Sequence, residues 1–180
     1  MKFNFRFVSA NPFISDLKIK TLDLTEDDWT YFDYRQKNVV GHKDTLTVPL
    51  YFDINNRFSK PERTKLVGHK NTEKFSHLIS EIANMLNDLG EPCVVRRANL
   101  VNLLAGKEIP THMDTTPLLK VTSRLHIPVF SNKDCTFVVG EETMHIPEGQ
   151  IWEIDNTGKN HSVHNLGRTD RIHLIIDVGQ

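Results

Sequence analysis

Cys135-Thr136-Phe137-Val138-Val139-Gly140-Glu141-Glu142-Thr143-Met144-His145-Ile146-Pro147-Glu148-Gly149-Gln150-Ile151-Trp152-Glu153-Ile154-Asp155 reads as three short β-forming runs, 135–139, 142–146 and 151–155, parted by Gly140 and by Pro147-Glu148-Gly149. The same rhythm continues on both sides. Upstream, strands are predicted over Cys93–Leu104, Ile109–Asp114 and Val121–Phe130, with turns at Ala105-Gly106-Lys107 and Ser131-Asn132-Lys133. Downstream, Asn156-Thr157-Gly158 turns into a segment beginning at His161, and Gly167-Arg168-Thr169-Asp170 leads into Arg171–Val178. Strands this short and this evenly punctuated predict a mainly β sandwich, jelly roll or barrel.

The N-terminal half reads differently. Phe3, Phe5 and Phe7 alternate with polar residues as one face of a half-buried strand. Thr25-Glu26-Asp27-Asp28 is a capped start for a short helix carrying Trp29, Tyr31 and Phe32. A strand follows at Leu46–Phe52. The one long helix runs from about Thr72 to Leu89, with Phe75, Leu78, Ile79, Ile82, Met85 and Leu86 at helical spacing and Gly90 as its stop. This helical material is expected to cover the outside of one sheet. With no repeat, low-complexity tract or Pro/Gly-rich linker, residues 1–180 read as a single domain.

A formal net charge of -1 leaves no broad cationic surface for nucleic acid. No apolar run is long enough to span a membrane, and the N-terminus lacks a signal-peptide core. Cys93 and Cys135 are isolated thiols without metal-site spacing, as fits a reducing cytoplasm. The expected partners are therefore neither nucleic acid nor membrane; oligomeric state is not legible.

Two strands carry more information. In Val121-Thr122-Ser123-Arg124-Leu125-His126-Ile127-Pro128-Val129, Arg124 and His126 share one face and the aliphatics the other. Arg171 and His173 likewise fall opposite Ile172, Leu174, Ile176 and Val178. Alternation alone leaves open whether these basic faces line an anion pocket or meet water.

The chemistry is carried by His112-Met113-Asp114, then His161, then Arg171. Two imidazoles and one carboxylate can occupy one face of a six-coordinate iron(II), leaving three positions for a bidentate co-substrate and dioxygen. An arginine shortly after the second histidine can grip the far carboxylate of a dicarboxylic co-substrate. A lone H-x-D triplet is weak evidence, but residues two apart on a strand share a side, as two ligands of one metal must. Spacing leaves His164 in competition with His161, since both lie in His161-Ser162-Val163-His164-Asn165. Arg96, Arg97 and Arg168 are surplus cations that read first as solvated surface charges; at most one of Arg96 and Arg97 enters a cavity. Trp152 reads as core packing beneath the metal strand.

Gly106…Ile109-Pro110-Thr111-His112-Met113-Asp114, Arg124-Leu125-His126-Ile127-Pro128, Gly149-Gln150-Ile151-Trp152-Glu153-Ile154-Asp155-Asn156, His161-Ser162-Val163-His164-Asn165 and Arg171–Val178 occur in order. Together they resemble the aspartyl/asparaginyl beta-hydroxylase-like branch of the iron(II)/2-oxoglutarate-dependent oxygenases, to which bacterial proline 3-hydroxylase is related. The likeness is strongest over residues 92–178 and loose before them, through Gly41-His42 and Thr45–Leu50. It implies a double-stranded β-helix, with His112, Asp114 and His161 as the catalytic iron(II) ligands. It further implies Arg171 on 2-oxoglutarate, Arg124 and His126 beside that co-substrate, dioxygen as oxidant, and succinate and carbon dioxide as products. In relatives that halogenate, a halide replaces the carboxylate, so Asp114 points to hydroxylation. The implied substrate is a small amino acid, another small carboxylate, or an Asp or Asn side chain in a peptide.

A second reading is a cupin-like metal-binding module: a non-redox isomerase, a sensor or a small-ligand binder. Such a module would use the histidines but not an arginine ten residues beyond His161. A third, a degenerate fold kept for protein interaction, fits poorly with an intact triad.

Overall fold

Period-two alternation on the strands and a 3.6-residue stripe on one helix build the molecule around a six-stranded sheet. The computed structural model describes residues 3–39, 41–53, 65–91 and 93–179. The first two residues of the chain and Pro92, where the family-like segment was expected to begin, lie outside these. The elements are β1 (Phe5–Ala10), α1 (Ile14–Leu22), α2 (Glu26–Thr30), α3 (Tyr34–Asn38), β2 (Thr45–Tyr51), α4 (Thr72–Asp88), β3 (Val94–Leu103), β4 (Glu108–His112), β5 (Ser123–Phe130), β6 (Cys135–Val139), β7 (Glu142–Met144), β8 (Gln150–Ile154), β9 (His161–Asn165) and β10 (Arg171–Gly179).

The larger sheet has the order β1-β8-β5-β10-β3-β2, the smaller β4-β9-β6-β7, and every pairing is antiparallel. From β3 onward the chain passes repeatedly from one sheet to the other, which is the jelly-roll winding of a double-stranded β-helix. The greasy faces of β5 and β10 turn outward: Leu125, Ile127, Leu174 and Ile176 pack under α1 and α4, against Leu17, Phe75, Ile79 and Ile82. Their basic faces turn inward, between the sheets. A smaller apolar cluster, including Phe137, Val139, Ile154 and Val163, closes that inner layer. No helix among the described residues is long and apolar enough to cross a membrane.

Local chemistry explains most boundaries. At α2, Thr25 Oγ1 accepts from the Asp28 amide while Asp28 accepts from the Thr25 amide, a full capping box. At the end of α4, Gly90 adopts φ 79°, which stops the helix. Helices α1 and α3 were not expected; Ile19 and Leu22 are 66% and 74% exposed, which blurs the apolar stripe of α1. The N-terminal aromatics also depart from expectation. Phe3 and Phe7 stay exposed because β1 is an edge strand, although Phe7 meets Trp152 edge-on at 5.4 Å. Trp152 itself packs against the inner cluster.

One buried amide joins the strands that matter most. Asn165, at the end of β9, donates to the carbonyls of Leu103 (3.1 Å), Leu104 (3.2 Å) and Thr169 (3.0 Å), and accepts from Asn132 (3.0 Å). Gly167 completes the knot: a Cβ there would lie 2.2 Å from Asn132 Oδ1 and would push the Asn132 amide out of its place. The knot ties β9 to the end of β3 and to the turn before β10. Asn165→Ala should cost about 3 kcal/mol, since it strands several buried carbonyls. Urea unfolding at neutral pH measures this, and a loss below about 0.5 kcal/mol would contradict the assignment.

Candidate metal and anion site

β4 and β9 lie at one end of the inner layer, and an irregularity in β4 sets the site. Ile109 pairs with Val163 and His112 with His161, so three steps along β4 match two along β9. The extra residue is a bulge beside Pro110, which has no amide hydrogen to offer the ladder. In an unbroken strand His112 would point away from the face that Ile109 shares. The bulge turns it inward, where its ring lies 4.2 Å from that of His161.

β4 ends at His112, so Asp114 sits past the strand, not on it as expected. It is held instead by the loop after β8: the Asp114 amide donates to the Asn156 carbonyl (2.9 Å) and Asn156 Nδ2 donates to Asp114 Oδ2 (2.7 Å). His112, Asp114 and His161 come together with one ligand atom each, all within 4.8 Å of one another. His164, the rival by spacing, faces elsewhere and meets Ser162 and Glu108.

The atoms left over suit a cation. His112 Nδ1 is 2.8 Å from the Pro110 carbonyl, which fixes the hydrogen on Nδ1 and leaves the Nε2 lone pair free. Both anchors on Asp114, Asn156 and Arg124, bind Oδ2, leaving Oδ1 open. Burial would raise the Asp114 pKa, but Arg124 and Asn156 hold it below the ordinary carboxylate value. Burial and the neighbouring His112 push His161 down to about 4, so it is a neutral ligand at physiological pH.

Arg124 is itself fixed from behind. Asp177, towards the C-terminal end of β10, stands opposite Arg124 on β5 and Arg97 on β3. Its oxygens accept from Arg124 Nε (2.8 Å) and from Arg97 Nε. Arg124 was expected beside the co-substrate; the structure places its hydrogen bonds on Asp114 and Asp177. Arg97, expected as a surface charge, is ion-paired inside. Arg168 is exposed. Asp177 was missed, yet it shares parity with Arg171 and His173, and that pattern could have revealed it.

Arg171 lies deeper, 1% exposed, with its guanidinium 4.7 Å from the centre of the Phe137 ring. Nη2 donates to His173 Nδ1 at 2.7 Å, while Nε has no partner. No described carboxylate pairs with it, and burial lowers its pKa to about 10, so it stays charged. His126 lies beside it, its ring 5.7 Å from that of His173 and its Nδ1 unpartnered. His112, His161, Arg124, His126 and Arg171 line one cavity, together with His42, quoted above only as part of the looser N-terminal likeness, and Arg35, which sequence reading did not single out.

The match to the aspartyl/asparaginyl beta-hydroxylase family runs over residues 19–180. This chain belongs to that family. Among solved structures it is similar to an oxidoreductase of the 2OG-Fe(II) oxygenase family from Burkholderia pseudomallei, with a TM-score of 0.58 and 16% identity. That match covers 75% of this chain and 66% of the other, so the present chain spans just under two thirds of that protein. Two slighter likenesses are to a predicted oxalate decarboxylase from Thermotoga maritima (TM-score 0.37, 19% identity, 48% of this chain, 68% of that one) and the Schizosaccharomyces pombe Cnp3 cupin domain (0.38, 14%, 47%, 56%). For this family member the jelly roll is therefore the expected fold, and a three-ligand metal group at the sheet end fits an oxygenase.

The buried imidazoles give the site a pH signature. Burial first, and then nearby arginines, hold His42, His126 and His173 neutral, with pKa values well below 6.5. Each takes up its proton more readily in the unfolded chain, so the stability it contributes is complete above about pH 6.5 and is lost as the pH falls toward the native value. Metal-free protein should melt at a constant temperature from pH 7 to 8 and progressively lower from 6.5 to 5. Each such proton costs about 1.4 kcal/mol per pH unit. A melting temperature that holds or rises on acidification would contradict the burial of neutral rings.

Proposed function

We propose that the chain is an iron(II)- and 2-oxoglutarate-dependent dioxygenase that hydroxylates an unactivated C–H bond of an amino acid or of an Asp/Asn-type side chain. Succinate and carbon dioxide leave as co-products. The observation that carries this reading is Arg171: a buried guanidinium with no acidic partner among the described residues, in the cavity that His112 and His161 of the three converging metal ligands also line. An uncompensated buried cation costs several kcal/mol and is retained where a ligand supplies the missing anion.

His112 Nε2, Asp114 Oδ1 and His161 would hold the metal, and Arg171 would pair with the distal carboxylate of 2-oxoglutarate. The chemistry supplied by bound iron(II), with dioxygen and 2-oxoglutarate, is decarboxylation of the co-substrate coupled to hydroxylation of the substrate. The chain's own work is positional. Pro110 and Asn156 orient His112 and Asp114; Asp177 keeps Arg124 on Asp114, so that this carboxylate stays ionised and turned toward the metal. His173 accepts from Arg171 and so aims its remaining donors. Val101, Ile154, Val163 and Ile175 line the cavity with apolar surface, which strengthens every charge interaction inside it.

A small-molecule or peptide substrate, with no nucleic acid or membrane partner, completes the proposal. Buried, unpaired Cys93 and Cys135 fit a reducing compartment such as the cytoplasm. A non-redox cupin-type binder would leave Arg171 buried without a purpose.

The test is anaerobic. Iron(II) and then 2-oxoglutarate added to metal-free protein should produce the weak visible charge-transfer band of a chelated 2-oxo acid. His112→Ala should abolish it, and Arg171→Ala should weaken 2-oxoglutarate binding about a hundredfold, the scale of a charge-assisted buried pair. Absence of a band in iron-loaded wild type would overturn the oxygenase reading.

A further inference from the structure

The cavity holds a second guanidinium without an acid among the described residues. Arg35, on α3, lines it together with His42 from the loop before β2. Arg35 Nη2 lies 3.4 and 3.3 Å from the two ring nitrogens of His42, a neutral partner that cannot offset its charge. No described carboxylate bonds to Arg35. Asp177 and Asp114, the acids nearest in influence, are already engaged by Arg97 and Arg124.

Its position is built, not incidental. Gly41 adopts φ 89°, and a Cβ there would meet Pro110 Cγ and Cδ at 3.0 Å. Only glycine lets this loop lie against the bulge of β4. That contact sets the His42 ring 6.0 Å from the His112 ring, edge to face. Arg35 thus reaches the metal ligands through His42, whereas Arg171 is reached past Phe137.

A charge inventory of the cavity and its support runs the same way. Arg35, Arg97, Arg124 and Arg171 face Asp114 and Asp177, four cations against two anions. A divalent metal adds two more positive charges, and 2-oxoglutarate removes two. Two positive charges are left over, a field that favours a further anion, and Arg35 is a cation to which no described carboxylate bonds.

We propose that Arg35, steadied by His42, binds a carboxylate of the substrate and thereby selects acids over their amides. This deepens the oxygenase reading and rests on it: 2-oxoglutarate takes Arg171, and the substrate takes Arg35. A guanidinium fork suits a carboxylate and discriminates against the neutral isostere, which leaves the charge unpaired. Among the substrates considered above, an amino acid or an aspartyl side chain is favoured, and an asparaginyl side chain presenting only its amide is not.

The experiment uses acetate and acetamide as probes on the protein loaded with manganese(II), a paramagnetic stand-in for iron, and saturated with 2-oxoglutarate. Broadening of the probe's methyl proton signal reports its approach to the metal. Acetate should be broadened at least tenfold more than acetamide. Arg35→Gln should remove that difference, Arg35→Lys should keep part of it, and Lys18→Gln, on the outer surface, should keep all of it. The 2-oxoglutarate affinity of Arg35→Gln should stay within twofold of wild type, which also shows that the variant folds. Equal broadening of the two probes in wild type, or acetate broadening unchanged in Arg35→Gln, would overturn the proposal. Failure of wild type to bind 2-oxoglutarate would refute the oxygenase reading instead. Acetate would then reach both arginines, and the difference between wild type and Arg35→Gln would still decide whether Arg35 binds it.

Discussion

A single carboxylate in the middle of the six-stranded sheet, Asp177, fixes the interior of this protein. It lies on the central strand β10, 1% exposed, with an arginine directly opposite on each neighbouring strand. Burial alone would raise its pKa, but Arg124 and Arg97 hold it well below the ordinary value, so it is a permanent anion. Removing it would leave Arg97 without that carboxylate and Arg124 with Asp114 alone, which costs several kcal/mol. The row Arg97–Asp177–Arg124–Asp114 then passes the constraint from sheet to metal ligand. The support behind Asp114 thus traces back to the register of β3, β5 and β10.

A buried polar face of this kind needs an unusual division of labour between the two sides of one sheet. The outer face of β5 and β10 supplies the hydrophobic core, packed by α1 and α4, at roughly 1.5–3 kcal/mol per fully buried aliphatic side chain. The inner face of this sheet can then carry Arg97, Arg124 and Arg171, the neutral His126 and His173, and the ionised Asp177. Apolar packing on one side offsets the electrostatic cost on the other, and that cost falls further when metal and anions arrive. Ligand binding and folding are coupled in consequence.

The strands and the long helix were legible because period and punctuation are strong there: β6 matches its expected bounds, and α4 and β10 do so within a residue. The inward turn of the basic faces was not legible, since alternation states parity and not direction. What decides it is α4, whose single apolar stripe can cover only one face of the sheet and takes the aliphatic one. The meeting of His112 with His161 was legible only through family likeness, because it depends on a bulge at Pro110 that reverses parity. Asp114 likewise needs Asn156, a loop residue distant in sequence. Arg35, on a five-residue helix, left no local signal, and His42 was legible only as part of a loose likeness, its place being set by the contact of Gly41 with Pro110.

The most direct test of this account is a crystal structure of the protein grown without oxygen, with manganese(II) and 2-oxoglutarate. The account predicts metal bound by His112 Nε2, Asp114 Oδ1 and His161. It also predicts the distal carboxylate of 2-oxoglutarate on Arg171, with the Arg97–Asp177–Arg124 row unmoved. Metal bound elsewhere, or a distal carboxylate seated away from Arg171, would contradict it.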